Sequence, residues 1–343
     1  MNSSAIDDFS ADAGLAASGP AGRAPHQGMV WIPGGEFLMG SDHHYPEEAP
    51  QHRVRVDGFW MDESPVTNTE FRRFVEATGY VTFAEVAPRA EDYPGALPEM
   101  LHAGSVVFTK PRHRPKQTPG APVACTWWSF VLGADWRHPT GPDSNLNGLE
   151  NHPVVHLAFR DVEAYAKWAG KELPAEAEWE FAARGGLDGA EFAWGDQLHP
   201  GGRHMANTWQ GEFPWQNLRS DGYERTSPVG VFPANGYGLF DMIGNVWEWT
   251  VDWYEHGHTS KKAGGCCIPQ NPRGGREAAS FDPAQPEVKI PRKVLKGGSH
   301  LCAPNYCRRY RPAARFPHAI DTSTSHVSFR CIIREAATPV CQD

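Results

Sequence analysis

The sequence predicts a mixed α+β domain of low regular secondary-structure content. Three observations predict it. Gly and Pro number 35 and 30 among 343 residues, well above average usage, so the chain turns often. Thirteen Trp supply aromatic clusters around which an irregular chain can pack. Short strand-like and helix-like stretches mix between residues 29 and 335 with no internal repeat and no clean linker. We therefore expect a disordered leader over 1–28, a single domain over 29–335 and a tail over 336–343.

The elements follow in chain order. "MVWIPGGEFLMGS" and "HRVRVDGFWMDES" read as short strands, with Val54, Val56 and Phe59 on a buried face. "TNTEFRRFVEATG" reads as a helix: Thr67 caps it, Glu70 completes a capping box, Phe71, Phe74 and Val75 form the apolar stripe, and Gly79 ends it. Residues 83–150 form a long Pro-, Gly- and Trp-rich excursion, in which Trp127 and Trp128 either line a groove or pack a core. A second helix, "DVEAYAKWAG", is expected to be capped by Asp161 and closed by Gly170, with Val162, Tyr165 and Trp168 or Ala169 on its apolar face. A third, "PAEAEWEFAARGG", starts after Leu173.

Composition excludes several classes. The net charge of -9 and a pI near 6.0 imply no basic face for nucleic acid. No apolar run is long enough for a membrane span. The N-terminus lacks a basic region followed by an apolar one, so no signal peptide is expected. Seven cysteines, an odd number, argue against a full disulfide framework and for a reducing cytoplasm. CxxC, HExxH and Walker-type motifs are missing, which leaves the common zinc and nucleotide readings without support.

Two constellations carry chemistry. Cys302 and Cys307 sit five positions apart in "KGGSHLCAPNYCRRYRPAAR". A strand puts them on opposite faces and a helix about 140° apart. A loop, permitted by Gly297, Gly298 and Pro304, can bring them together. The pair is a disulfide, two inert thiols, or a soft-metal site suited to Cu(I). Arg308, Arg309 and Arg311 can favour thiolate. The second constellation is rich in oxygen: Asn207, Asp221, Asp241 and Glu248 lie among glycines. Such residues are turn and cap formers, or ligands for Ca²⁺.

The chain resembles the formylglycine-generating enzyme family, the sulfatase-modifying factors. The resemblance runs over about 300 residues. "AEAEWEFAARGG" and "GNVWEW" indicate fold only. "GGSHLCAPNYC", "WRHPTGPDS" and "TWQGEFP" together indicate the catalytic branch. The resemblance implies a fold with a C-type-lectin-like core. It also implies aerobic, copper-dependent oxidation of the cysteine in a Cys-x-Pro-x-Arg segment of an unfolded sulfatase to Cα-formylglycine, with O₂ as oxidant and a thiol as reductant. Cys302 and Cys307 correspond to the Cu(I) ligands, Ser299 and Tyr306 to polar positions beside the pocket, and Trp247 to an aromatic wall. One Ca²⁺ is expected at Asn207, the carbonyl of Thr208, Asp221 and the carbonyl of Tyr223. A second is expected at Asp241, the carbonyls of Gly244 and Val246, and Glu248.

The chain also departs from the family. Ala166, Ala183 and Pro312 stand where secreted relatives have disulfide cysteines, and Cys331 has lost its partner. Ala175 replaces a Ser or Thr cap. His300 and Pro304 differ near the pocket, which leaves peptide preference open. A cytoplasmic monomer is expected. The rival reading is a non-catalytic ligand-binding or scaffolding member, which loss of either cysteine would mark. An iron-dependent sulfoxide synthase of the ergothioneine type needs an extra helical domain for which the chain has no room.

Overall fold

A computed structural model describes residues 23–93, 97–98, 101–115, 126–258 and 268–335. The expected leader up to residue 22, the tail 336–343, and Cys125, Cys266, Cys267 and Cys341 lie outside the described residues. The chain opens with β1 (Met29–Ile32), β2 (Gly35–Met39), β3 (His52–Val56) and β4 (Phe59–Asp62). Val54, Val56 and Phe59 are buried as the alternation predicts. β1 and the C-terminal strand β11 (Ile332–Arg334) both pair antiparallel with β4, so the two ends of the domain share one sheet. β2 and β3 form a separate hairpin.

Helix α1 (Asn68–Thr78) is built as its sequence dictates. Thr67 Oγ1 accepts from the Glu70 N–H at 3.3 Å, the Thr67 N–H donates to Glu70 Oε2 at 2.8 Å, and Gly79 ends the helix at φ 67°. The excursion 83–150 contains a hairpin of β5 (Gly104–Phe108) and β6 (Trp128–Leu132). α2 (Phe159–Trp168) corrects the expected cap. The helix starts after Ala158, and Asp161 sits three positions on, accepting from the Ala158 N–H at 2.9 Å. The carboxylate thus satisfies the free backbone N–H of the cap residue from inside the helix. Gly170 does sit just past the end, at φ 67°. Trp168 is exposed; the buried stripe is Phe159, Val162, Tyr165 and Ala166.

α3 (Glu176–Arg184) is buried along its whole length. Its charged residues are paired: Glu180 meets Lys296 at 2.9 Å and Arg184 at 2.8 Å, and Glu176 meets Arg315 at 2.7 Å. Burial by itself would raise the Glu180 pKa, but the two cations hold it at about 2. Ala175 occupies the cap position, and its N–H donates to Glu178 Oε2 at 2.6 Å, keeping half of a capping box. Against α3 lies a four-stranded sheet in the order β10 (Val327–Ser328), β7 (Trp247–Trp253), β8 (Arg292–Lys296), β9 (Arg315–Ala319). The loop between β8 and β9 carries both candidate cysteines.

Candidate active site

β8 delivers the chain to Gly297 (φ 92°) and Gly298 (φ 73°). A Cβ on Gly298 would lie 2.8 Å from the Arg309 carbonyl oxygen, so only glycine lets the loop close against its own far end. Two turns follow. The Cys302 N–H donates to the Ser299 carbonyl at 2.9 Å, and the Cys307 N–H donates to the Ala303 carbonyl at 2.8 Å. Together they bring the two sulfurs to 3.3 Å, unbonded as free thiols. The loop geometry expected from the five-residue spacing is therefore present. Cys302 is buried, and Cys307 is partly accessible.

The two thiols differ electrostatically. Burial, together with the contact to Cys307, pushes Cys302 well up. The hydrogen bond from Cys302 and the nearby Arg309 guanidinium pull Cys307 down despite its burial. Of the two, Cys307 is the sulfur more readily ionised. Arg309 Nη1 lies 3.9 Å from Cys307 Sγ; its Nε donates to Glu47 at 3.2 Å, and the guanidinium stacks 3.8 Å over the Tyr45 ring. Of the three arginines only Arg309 reaches a sulfur. Arg308 pairs with Glu191 at 2.9 Å and Arg311 with Glu48 at 2.5 Å.

The sulfurs face a largely apolar cavity of about 420 Å³. Ser299, Tyr306 and Trp247 all line it. Ser299 is fully buried; its N–H donates to Cys302 Sγ at 3.5 Å and its Oγ accepts from the Leu301 N–H at 3.2 Å. Tyr306 stacks on Phe213 with ring centroids 4.2 Å apart. Trp247 belongs to both the main core and the cavity wall. The Trp pair divides: Trp128 lines the cavity, while Trp127 packs with Phe108 and Phe213. Sequence reasoning missed Glu47 and Tyr45, which orient Arg309, and His318 and His326 on the wall. The signal for the first was the adjacent acids Glu47 and Glu48, which complement Arg309 and Arg311.

In the first oxygen set Thr208, Asp221 and Tyr223 are neighbours, while the Asn207 side chain turns to Arg225. Tyr223 N–H donates to Asp221 Oδ1 at 3.0 Å, Thr208 N–H approaches Asp221 Oδ2 at 3.3 Å, and the Gln210 amide touches both Asp221 and the Thr208 carbonyl. Asn207 donates to the Arg225 carbonyl at 2.9 Å. The second set is differently disposed. Glu248 accepts twice from Arg330 and once from Trp179, each at 2.8 Å, and Asp241 accepts from the Gly230 N–H at 2.8 Å. Burial pushes the Asp241 pKa up to about 6. A cation at this set would share Glu248 with Arg330. Among the described residues no three His, Cys, Asp or Glu side chains gather as a metal cluster, so any calcium would need carbonyl and amide oxygens beside a single carboxylate.

An irregular α+β scaffold presenting paired thiols at an apolar cavity is the class that fold and site define. Residues 15–335 match the family described as Sulfatase-modifying factor enzyme 1-like domain, and the chain belongs to that family. The chain is 51% identical to the formylglycine-generating enzyme of Mycobacterium tuberculosis over 309 residues, covering 89% of this chain and 97% of that protein. It is 42% identical to the Bos taurus formylglycine-generating enzyme over 334 residues, covering 96% and 81%. It is also 42% identical to the inactive Cα-formylglycine-generating enzyme 2 of Mus musculus over 317 residues, covering 90% and 87%. Among solved structures, PvdO from Pseudomonas aeruginosa shares the fold, with a TM-score of 0.57 at 25% identity over 89% of this chain and 94% of that one.

Proposed function

We propose that the chain oxidises the cysteine of a Cys-x-Pro-x-Arg segment in an unfolded sulfatase to Cα-formylglycine, with Cu(I), O₂ and a thiol reductant. The observation that carries this reading is the pair of sulfurs 3.3 Å apart at the cavity wall. Overall identity cannot carry it, because an inactive relative is as similar as an active one.

Two converging sulfurs, one of them with its pKa drawn down, fit a soft d10 ion and leave the cavity side open for a third sulfur. Cu(I) held by Cys302 and Cys307 would supply one-electron chemistry with O₂. The protein's own groups do the rest. Arg309 stabilises negative charge on Cys307, the Ser299 N–H fixes the Cys302 sulfur, and Trp247 and Tyr306 with Phe213 keep water from the reacting side chain. The overall reaction balances as follows. The substrate CH₂–SH and O₂, with two electrons and two protons from two reductant thiols, give CHO, H₂S and water, and the thiols leave as a disulfide.

Calcium is proposed as a structural ion at the first oxygen set, where a carboxylate and a backbone carbonyl share one amide partner. The second set is a weaker fit, since Arg330 already balances Glu248. The free Cys331 is compatible with a reducing, cytoplasmic setting. No helix among the described residues is long and apolar enough to cross a membrane.

The test is purified protein with Cu(I), O₂, a thiol and a Cys-x-Pro-x-Arg peptide, read by mass spectrometry. Copper-dependent conversion of cysteine to aldehyde is expected. A folded, copper-loaded protein that leaves the peptide untouched would return the chain to the non-catalytic reading.

A further inference from the structure

The cavity does not end at its rim. In the β5–β6 hairpin, Phe108 faces Trp128, Val106 faces Phe130 and Gly104 faces Leu132. Directly opposed residues share a face, so Trp128, Phe130 and Leu132 point the same way as Val106. Val106 and Trp128 line the cysteine cavity. Phe130 and Leu132 continue that face outward and are 50% and 52% exposed. Phe130 lies across Gly104, with ring atoms 3.0 Å from where a Cβ would sit, so the ring is laid flat along the sheet. Single exposed apolar residues need no explanation. Two in register on one strand, continuing from the partly buried Trp128 out of a reaction cavity, are a different case.

The other edge of β6 also matters. Among the described residues β6 pairs with β5 only. β5 is itself flanked on its far side by residues 323–325, through hydrogen bonds from the Val106 N–H to the Ser323 carbonyl and from the Ser325 N–H to the Val106 carbonyl. Among the described residues, the open backbone donors and acceptors of the hairpin are therefore those of β6. An extended peptide satisfies such an edge by adding a strand, and its alternate side chains meet the exposed apolar face.

We infer that β6 docks the part of the substrate polypeptide that flanks the reactive cysteine segment. The chain runs extended out of the cavity along Trp128, Phe130 and Leu132 and places alternate apolar side chains on them. This rests on the proposed activity and adds a selectivity to it: the enzyme prefers an unfolded segment with apolar flanks over the bare five-residue motif. From Trp128 to Leu132 the strand runs roughly 13 Å, so the face takes about four extended residues. A folded protein does not offer that length of extended apolar chain, which favours an unfolded substrate.

The experiment uses three peptides: the bare Cys-x-Pro-x-Arg core, and the core with four residues containing two Leu added before or after it. Conversion of each is measured with the wild-type protein and with Phe130→Thr and Leu132→Thr, whose side chains lie outside the cavity. In parallel, fluorescence anisotropy measures binding of the same peptides with Ser in place of Cys, which needs no chemistry. One flanked peptide should show a KM and a Kd about tenfold lower than the core, the effect of covering a leucine-sized surface. Each variant should lose most of that gain while converting the core peptide as before. Equal affinity for all three peptides, or a gain that survives both substitutions, overturns the docking face. Sedimentation showing a dimer that the variants dissociate would assign β6 to a second copy and overturns it too. A wild-type protein that converts no peptide but still binds one flanked peptide more tightly, in a Phe130- and Leu132-dependent way, supports the face while rejecting the proposed chemistry.

Discussion

Arg311 and Glu48, 263 positions apart, form a bidentate ion pair inside the protein, at 2.8 Å and 2.5 Å, with both side chains almost inaccessible. Arg311 Nε also donates to the Arg308 carbonyl at 2.8 Å. One guanidinium thus ties the end of the cysteine loop to the segment that carries Glu47. Burial pushes the Glu48 carboxyl up, and Arg311 opposes that shift. Breaking such a pair from one side strands a buried charge, at about 3–5 kcal/mol. Arg311→Met and Glu48→Leu should each lower the urea midpoint strongly. The double variant should lose less than the sum. Additive losses would mean that the two side chains act independently.

The cysteines give a sharper test. Cys302→Ser or Cys307→Ser replaces a soft ligand with a hard, protonated hydroxyl. Both variants should lose tight Cu(I) binding and peptide conversion together, with an unchanged unfolding midpoint to within about 1 kcal/mol. Serine variants of Cys125, Cys266, Cys267 and Cys341 should retain activity. Copper titration with a chromophoric competitor reads the binding, and peptide-dependent oxygen consumption reads the activity. A Cys302→Ser or Cys307→Ser protein that still turns over would sink the copper reading.

How far the sequence could be read follows the range of the interactions. The α1 cap was legible because Thr67 and Glu70 are three residues apart and need no other partner. Asp161 was misplaced by three positions because an Asp favours the cap site, yet here its carboxylate accepts from the cap residue's backbone N–H from inside the first turn. Trp168 looked like core by spacing, but it sits at the core's edge, packed on Phe74 and Tyr165 while 43% exposed. The loop that joins Cys302 and Cys307 was expected from Gly297 and Gly298. What orients its charge was not, since Glu47 reaches Arg309 across 262 positions. The apolar face of β6 also escaped notice, because the excursion 83–150 shows no strand period long enough to single out.

Calcium removal should act on stability more than on chemistry. A ligand that binds only the folded state stabilises it by mass action, about 2.7 kcal/mol at a hundredfold excess over Kd. Chelation should therefore lower the melting temperature and leave the Cu(I) affinity of the cysteine pair intact. Asp221→Asn should reproduce the loss and make the protein insensitive to chelator. An unchanged melting curve, with no calcium by elemental analysis after purification in calcium buffer, would remove the ion from the account. Asp221 would then be only a turn former holding Thr208 and Tyr223.

Acid should weaken the protein through its buried histidines. Burial lowers His156, His300 and His318 to about 4, and holds His326 well below its ordinary value. Each of the first three has a ring nitrogen against a carbonyl oxygen: Pro139 for His156, Asn245 for His300 and Thr322 for His318. The unfolded chain titrates near 6.5, so below that pH it binds more protons than the folded one. Their contribution is whole above about pH 6.5 and falls as the pH drops toward 4. The loss amounts to about 2 kcal/mol per histidine by pH 5. Asp161 and Asp241 work the other way. Burial raises both to about 6, so they gain stability as the pH falls, by about 1.4 kcal/mol each at pH 5. Three histidines outweigh two aspartates, and His326 adds to the histidine side. Urea midpoints should therefore fall steadily from pH 7 to pH 5, and His318→Leu should flatten the slope by removing one of the titrating rings. A midpoint that holds or rises over that interval would mean that the histidine rings take up protons in place without unfolding.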